Sequence, residues 1–168
     1  RESGDLTLGG ETPVPLALRK ALLNVAAADS AISIALDIDS GTMGTAAARL
    51  QTRMFRRDSG WLLPGDAPLT GSANLDFRSL AWLRAMLPGV DRVEGQLAAQ
   101  VRADGTVAAP RFSGTLIGKQ LALRAVGAGV DLREGRLRAT LDGTQFRLDE
   151  FELKAGKGRI TASGTAEL

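Results

Sequence analysis

Apolar and polar residues alternate with a period of two along most of this chain, which restricts its fold more than any other feature does. Period-two alternation places successive side chains on opposite faces of a strand and leaves one face apolar. Residues 93–104 put Val93, Leu97, Ala99, Val101 and Ala103 on one face and Glu94, Gln96, Gln100, Arg102 and Asp104 on the other. Ile32, Ile34, Leu36 and Ile38 stand opposite Ser33, Asp37 and Asp39. Leu69, Ala73, Leu75 and Phe77 stand opposite Thr70, Ser72, Asn74, Asp76 and Arg78.

The same reading predicts strands over 44–54, 110–117, 119–126, 136–142, 145–154 and 158–168. Turn signals separate them at Asp104-Gly105, Gly118, Gly127 to Gly129, Glu134-Gly135, Asp142-Gly143 and Gly156 to Gly158. This spacing suits an antiparallel meander. Within 145–154 the phase changes, because Phe146 and Leu148 are even-numbered while Phe151 and Leu153 are odd, so a bulge or bend is expected near Asp149-Glu150. Two stretches read as short helices. Over 79–87, Ser79 offers a cap, Leu80, Leu83 and Leu87 share a face with Trp82 and Met86 beside them, and Pro88-Gly89 ends it. Over 15–26, Pro15 opens a possible stripe of Leu16, Leu22, Leu23 and Val25.

A loose repeat, x-Gly-x within mixed apolar residues, recurs at 69–73, 93–97, 112–116 and 162–166. It suggests hairpin units added side by side. The expected fold is therefore all-β: one extended antiparallel curled sheet with one or two short helices. Such a sheet must cover its apolar face. It either closes on itself as a sandwich or barrel, or curls without closing and leaves an open, taco-like groove with an apolar concave face. Small residues in the inward phase, Gly71, Ala73, Gly95, Ala99, Ala103, Gly114, Ala139, Ala162 and Gly164, favour a groove with room for an apolar ligand such as an acyl chain. Strand phase assigns its lining to Ile32, Ile34, Leu36, Ile38, Leu75, Phe77, Leu97, Val101, Phe112, Leu116, Leu121, Leu123, Leu137, Leu141 and Ile160.

Composition narrows the chemistry. With no His and no Cys there is no His-based triad, no thiol nucleophile, no disulfide and none of the common zinc sites, so neither enzymatic activity nor a cofactor or metal is expected. Asp37 and Asp39 share a strand face, but it lies opposite the isoleucines and reads as solvated surface. Gly127/Gly129 and Gly156/Gly158 lack the third glycine and following helix of a dinucleotide site and read as turns. Trp61 and Trp82 read as packing residues before interface anchors. Net charge is only +2, with basic residues spread among acidic ones and a single cluster at Arg53, Arg56 and Arg57, so no nucleic-acid partner is expected. At 168 residues, starting at Arg1 without methionine or a signal segment, the chain reads as one β-rich domain and a piece of a longer protein.

The run Pro68-Leu69-Thr70-Gly71-Ser72-Ala73-Asn74-Leu75-Asp76-Phe77, followed by Leu87-Pro88-Gly89-Val90-Asp91-Arg92-Val93-Glu94-Gly95-Gln96-Leu97, resembles the TamB family of AsmA-like proteins. So do Gly105-Thr106 to Ala109-Pro110-Arg111-Phe112-Ser113-Gly114-Thr115-Leu116 and the closing stretch Gly156 to Leu168. The likeness is to the family's C-terminal β-rich domain and spans about 66–168; residues 1–65 agree in style only. This resemblance implies a taco-like sheet inside a long protein anchored in the inner membrane and crossing the periplasm. It also implies a TamA-like outer-membrane barrel as partner, phospholipid traffic between the two membranes, and assembly of autotransporters and other outer-membrane proteins. It carries no single-residue active site. Three roles stay open at this point: a lipid-conducting groove, a chaperone that pairs unfolded outer-membrane strands at an open sheet edge, and a structural spacer.

Overall fold

Pairing between strands, more than local propensity, decides the shape of this molecule. The computed structural model describes residues 7–8, 14–28, 30–57 and 60–167, and gives only the backbone of residues 7, 8, 14, 56, 57, 60 and 61. A small ladder joins β1 (Thr7–Leu8) to β2 (Val14–Pro15). Then come β3 (Leu18–Ala28), β4 (Ala31–Ser40), β5 (Gly44–Arg53), and a ribbon of β6 (Phe55–Arg57) and β7 (Gly60–Leu62). The rest of the chain forms β8 (Leu69–Phe77), β9 (Arg92–Gly105), β10 (Pro110–Ala125), β11 (Val130–Gly143), β12 (Gln145–Ala155) and β13 (Gly158–Glu167).

Nine of these strands make one antiparallel sheet in the order β13-β12-β11-β10-β9-β8-β5-β4-β3. The order follows the chain, stepping over only the β6–β7 ribbon. β3 and β13 are the two edges and do not pair with each other, so the sheet is open and curled, the all-β architecture expected from the alternation and not a closed barrel or sandwich. Among the described residues no helix is long and apolar enough to cross a membrane.

Four local expectations change. Residues 18–26 of the expected 15–26 helix belong to strand β3 (Leu18–Ala28), paired along its length with β4. The isoleucine strand that follows offers a partner one tight turn away, and Ala21, Leu23, Val25 and Ala27 alternate as well as they stripe, so tertiary pairing overrides the helical reading. The expected turns at Gly118 and Glu134-Gly135 lie inside the long strands β10 and β11, where the register slips instead. Gln120 and Glu134 take positive φ of 52° and 53° at these irregularities. The stretch read as a helix over 79–87 is a six-residue 3-10 helix, Ala81–Met86, with the Ala81 amide donating to Ser79 Oγ at 3.3 Å. The last strand ends at Glu167, and Leu168 lies outside the described residues, as do the side chains of Arg56, Arg57 and Trp61.

The expected bulge is present. β12 slips by one residue against β11 between Leu148 and Glu150, and against β13 between Leu148 and Phe151, which returns Phe146, Leu148, Phe151 and Leu153 to one face. Asp149, the residue left without a partner, accepts from Thr140 Oγ1 at 2.6 Å and from Arg147 Nε at 2.6 Å. The Thr140 hydrogen bond first, then that of Arg147, holds its carboxyl below the ordinary aspartate range.

A folded-state value below the unfolded one stabilises the fold above the ordinary carboxylate range and loses that contribution as pH falls through the folded value. Asp149→Asn should therefore flatten part of the acid limb of a stability-against-pH curve measured by urea melts and leave the neutral-to-alkaline limb unchanged in slope. A Cβ added at Gly114 would sit 2.1 Å from the Gln100 carbonyl at a φ of 156°, whereas one at Gly164 meets nothing within 4 Å. Gly114→Ala should cost about 2 kcal/mol in chemical denaturation. Gly164→Ala should stay within about 0.5 kcal/mol of the parent.

Candidate functional site: an uncovered apolar face

Antiparallel partners share a face, so the register traces each row of side chains across the whole sheet. One row runs Ala21, Ile38, Ala46, Leu75, Ala99, Leu116, Ala139, Leu148, Gly164, each residue paired directly with the next. Small and large residues alternate along all nine strands. The next row is Leu18, Ser40, Gly44, Phe77, Leu97, Gly118, Leu137, Phe151, Ala162. On the other side run Leu23, Leu36, Ala48, Ala73, Val101, Gly114, Leu141, Phe146, Ala166, and then Val25, Ile34, Leu50, Gly71, Ala103, Phe112, Gly143. The opposite face carries polar rows such as Asp37, Ala47, Asn74, Gln100, Thr115, Thr140, Arg147, Thr165.

These rows hold eleven of the fifteen residues that strand phase assigns to the lining. Ile32 adds a fifth row with Ala27, Thr52 and Leu69. Leu121 pairs with Gly135, and its Cδ2 lies 2.8 Å from where a Cβ on Gly95 would stand. Leu123 pairs with Val93 and Leu132, and Ile160 with Leu153. All fifteen therefore share one face. The lining assigned from strand phase left out Ala21, Leu23 and Val25, which fell in the expected helix, and Phe146, Leu148, Phe151 and Leu153 of β12, whose parity changes at the bulge between Leu148 and Phe151.

The arrangement determines what this face can do. Ala46, Ala99 and Ala139 are 8%, 5% and 1% exposed, while among the described residues no large side chain is fully buried. Ala98, the neighbour of Ala99 on the polar face, is exposed. Each of these alanines pairs on both sides with a large apolar residue, Ala46 with Ile38 and Leu75, Ala99 with Leu75 and Leu116, Ala139 with Leu116 and Leu148, and among the described residues no second layer covers the sheet. At about 4.8 Å per strand, nine strands make an uncovered apolar strip about 38 Å long, running across the strands.

One rim of the strip is partly roofed. The 3-10 helix crosses there, with Trp82 packed edge-on against Phe77 at 5.7 Å and the Leu80 amide bonded to the Gly95 carbonyl. Leu16, Met43, Leu80 and Val93 are buried along the same rim. Ser40, itself buried, donates to the Leu16 carbonyl and accepts from the Met43 amide at 3.0 Å. Two buried polar atoms, Thr52 Oγ1 and Trp82 Nε1, have no hydrogen-bond partner among the described residues.

Charge sits off this face. Arg92–Glu94, Arg133–Asp131, Lys154–Glu134 and Arg159–Glu152 form ion pairs around a cleft of about 1150 Å³ near the bulged ends of β9 to β13. Lys154, by hydrogen bond and then by charge, holds the Glu134 carboxyl below its usual range. Such exposed pairs contribute little to stability, because water and salt screen them. Asp37 and Asp39 lie half-buried on the polar face.

Comparison with known proteins gives one match. A family model described as TamB, N-terminal domain, matches residues 4–117. The matched region takes in residues 4–65, which by motif resembled the family in style only, and the description names the N-terminal domain where the motifs resembled the C-terminal one. No curated protein and no solved structure matches the chain. The family match covers most of the chain, and the chain belongs to the TamB family.

Proposed function

We propose that this segment forms part of a hydrophobic conduit that shields phospholipid acyl chains as they cross the periplasm between the inner and outer membranes. The observation that carries this reading is an apolar face continuous over nine strands on which, among the described residues, no layer is packed. Removing a tail's apolar surface from water yields roughly 25 cal/mol per Å². The lining offers no charged contact by which to select one lipid over another, so a range of acyl chains would be accepted. Within the family role, the full-length protein is anchored in the inner membrane, works with a TamA-like outer-membrane barrel, and serves outer-membrane protein and autotransporter assembly as well as lipid supply.

A second reading rests on the two edges. β3 and β13 each leave one side of their backbone unpaired and are exposed over nearly all their length, so an unfolded outer-membrane strand could add to the sheet there. A spacer role needs neither feature.

Leu97→Asp places a charge in the lining, whereas Gln100→Asp places one on the polar face of the same strand. In cells relying on the full-length protein at matched abundance, arrival of pulse-labelled phospholipid in the outer membrane should slow several-fold with Leu97→Asp and stay unchanged with Gln100→Asp. Equal rates would overturn the conduit and leave the spacer. Loss of outer-membrane protein assembly alone, with lipid arrival intact, would favour the edge-pairing chaperone.

A further inference from the structure

Beside the roofed rim, two loops stand together and present apolar residues to solvent. The Asp91 amide donates to the Arg124 carbonyl at 2.8 Å, and the Val126 amide donates to Asp91 Oδ2 at 2.6 Å, which ties the loop after the 3-10 helix to the turn between β10 and β11. From this pair Met86 and Val126 are each 60% exposed and Leu87 39%. Gly89, Gly127 and Gly129 have nothing within 4 Å of an added Cβ, so the loop tips stand clear of the sheet.

A charged cleft adjoins these tips. Seven basic and four acidic residues line it, a local balance of +3 against +2 for the entire chain. Each of its four carboxylates forms an ion pair with one base, and Glu134, held by Lys154, also feels the charges of Arg133 and Arg136. Arg78, Arg124 and Arg136 also line it and, among the described residues, have no carboxylate within 4 Å. The chain's excess positive charge is thus concentrated beside its exposed apolar tips. Guanidinium groups hold phosphate oxygens in a two-pronged geometry, and apolar tips flanked by unpaired basic residues are suited to the boundary between headgroups and acyl chains.

We infer that this rim docks on an anionic phospholipid bilayer, with Met86, Leu87 and Val126 entering the headgroup layer and Arg78, Arg124 and Arg136 engaging lipid phosphates. The inference stands apart from conduction, since none of these six residues belongs to the apolar lining.

The test is flotation of the purified chain with vesicles of phosphatidylcholine, with or without phosphatidylglycerol. Binding should require phosphatidylglycerol and weaken as salt rises. Arg124→Glu with Arg136→Glu should lower it at least about tenfold, and Met86→Ser with Val126→Ser should lower it with circular dichroism unchanged. An environment-sensitive dye on Val126→Cys should shift to the blue on binding. Leu97→Asp should bind vesicles like the parent, which separates this surface from the conduit. No binding to phosphatidylglycerol vesicles, or charge-reversed and serine variants that bind like the parent, would overturn the proposal. So would complete competition by inorganic phosphate with no dye shift, which would mark a free-anion site.

Discussion

Register is the constraint on which the rest of the structure depends. Direct pairing passes one face from strand to strand, and a slip of a single residue would send every apolar side chain beyond it to the solvent side. Phase is kept from Ala21 on one edge to Gly164 on the other. Where the chain would break phase, at Lys119 to Ala122, at Glu134 and at Asp149, the ladder absorbs the extra residues as irregularities that restore the face. The bulges are therefore part of how the apolar strip remains continuous.

The small-and-large alternation along the rows has a second consequence. In a two-layer protein, large side chains fill the space between layers at near-crystalline density. Here Leu75, Leu116 and Leu148 flank Ala99 and Ala139 from the adjoining strands, and those alanines are buried although among the described residues no partner layer lies over them. At Gly118 an added Cβ would lie 3.0 Å from Leu137 Cβ and Leu121 Cδ1, so the glycine leaves room for these neighbouring side chains. An uncovered apolar strip then becomes compatible with a folded chain, and the free edges at β3 and β13 let that strip extend by further pairing.

Much of this was legible in the sequence, for physical reasons. A period of two over eight or more residues has few alternatives, and strands such as 93–104 were read with nearly the bounds observed for β9. The bulge in β12 showed as a change of parity between Leu148 and Phe151. Elsewhere the local signal was ambiguous. Ala21 to Ala28 suits a helix or a strand, and only the presence of β4 beside it decides. Gly118 and Gly135 looked like turns, although both serve to admit Leu121 and neighbouring side chains. The row of alternating sizes was invisible, because it is a property of register and not of any one strand. The matched part of the family was hard to place for a related reason. A strand-and-turn grammar that repeats along a chain identifies its family more readily than its position within it.

Whether the uncovered face holds hydrocarbon decides between a conduit and a spacer. Native mass spectrometry of the chain purified with phospholipid present, followed by extraction and lipid analysis, tests it most directly. A conduit should carry bound phospholipid of mixed acyl composition that is lost when Ile34 or Val101 is replaced by Asp while circular dichroism stays β-rich. A folded chain free of lipid under the same conditions would contradict it.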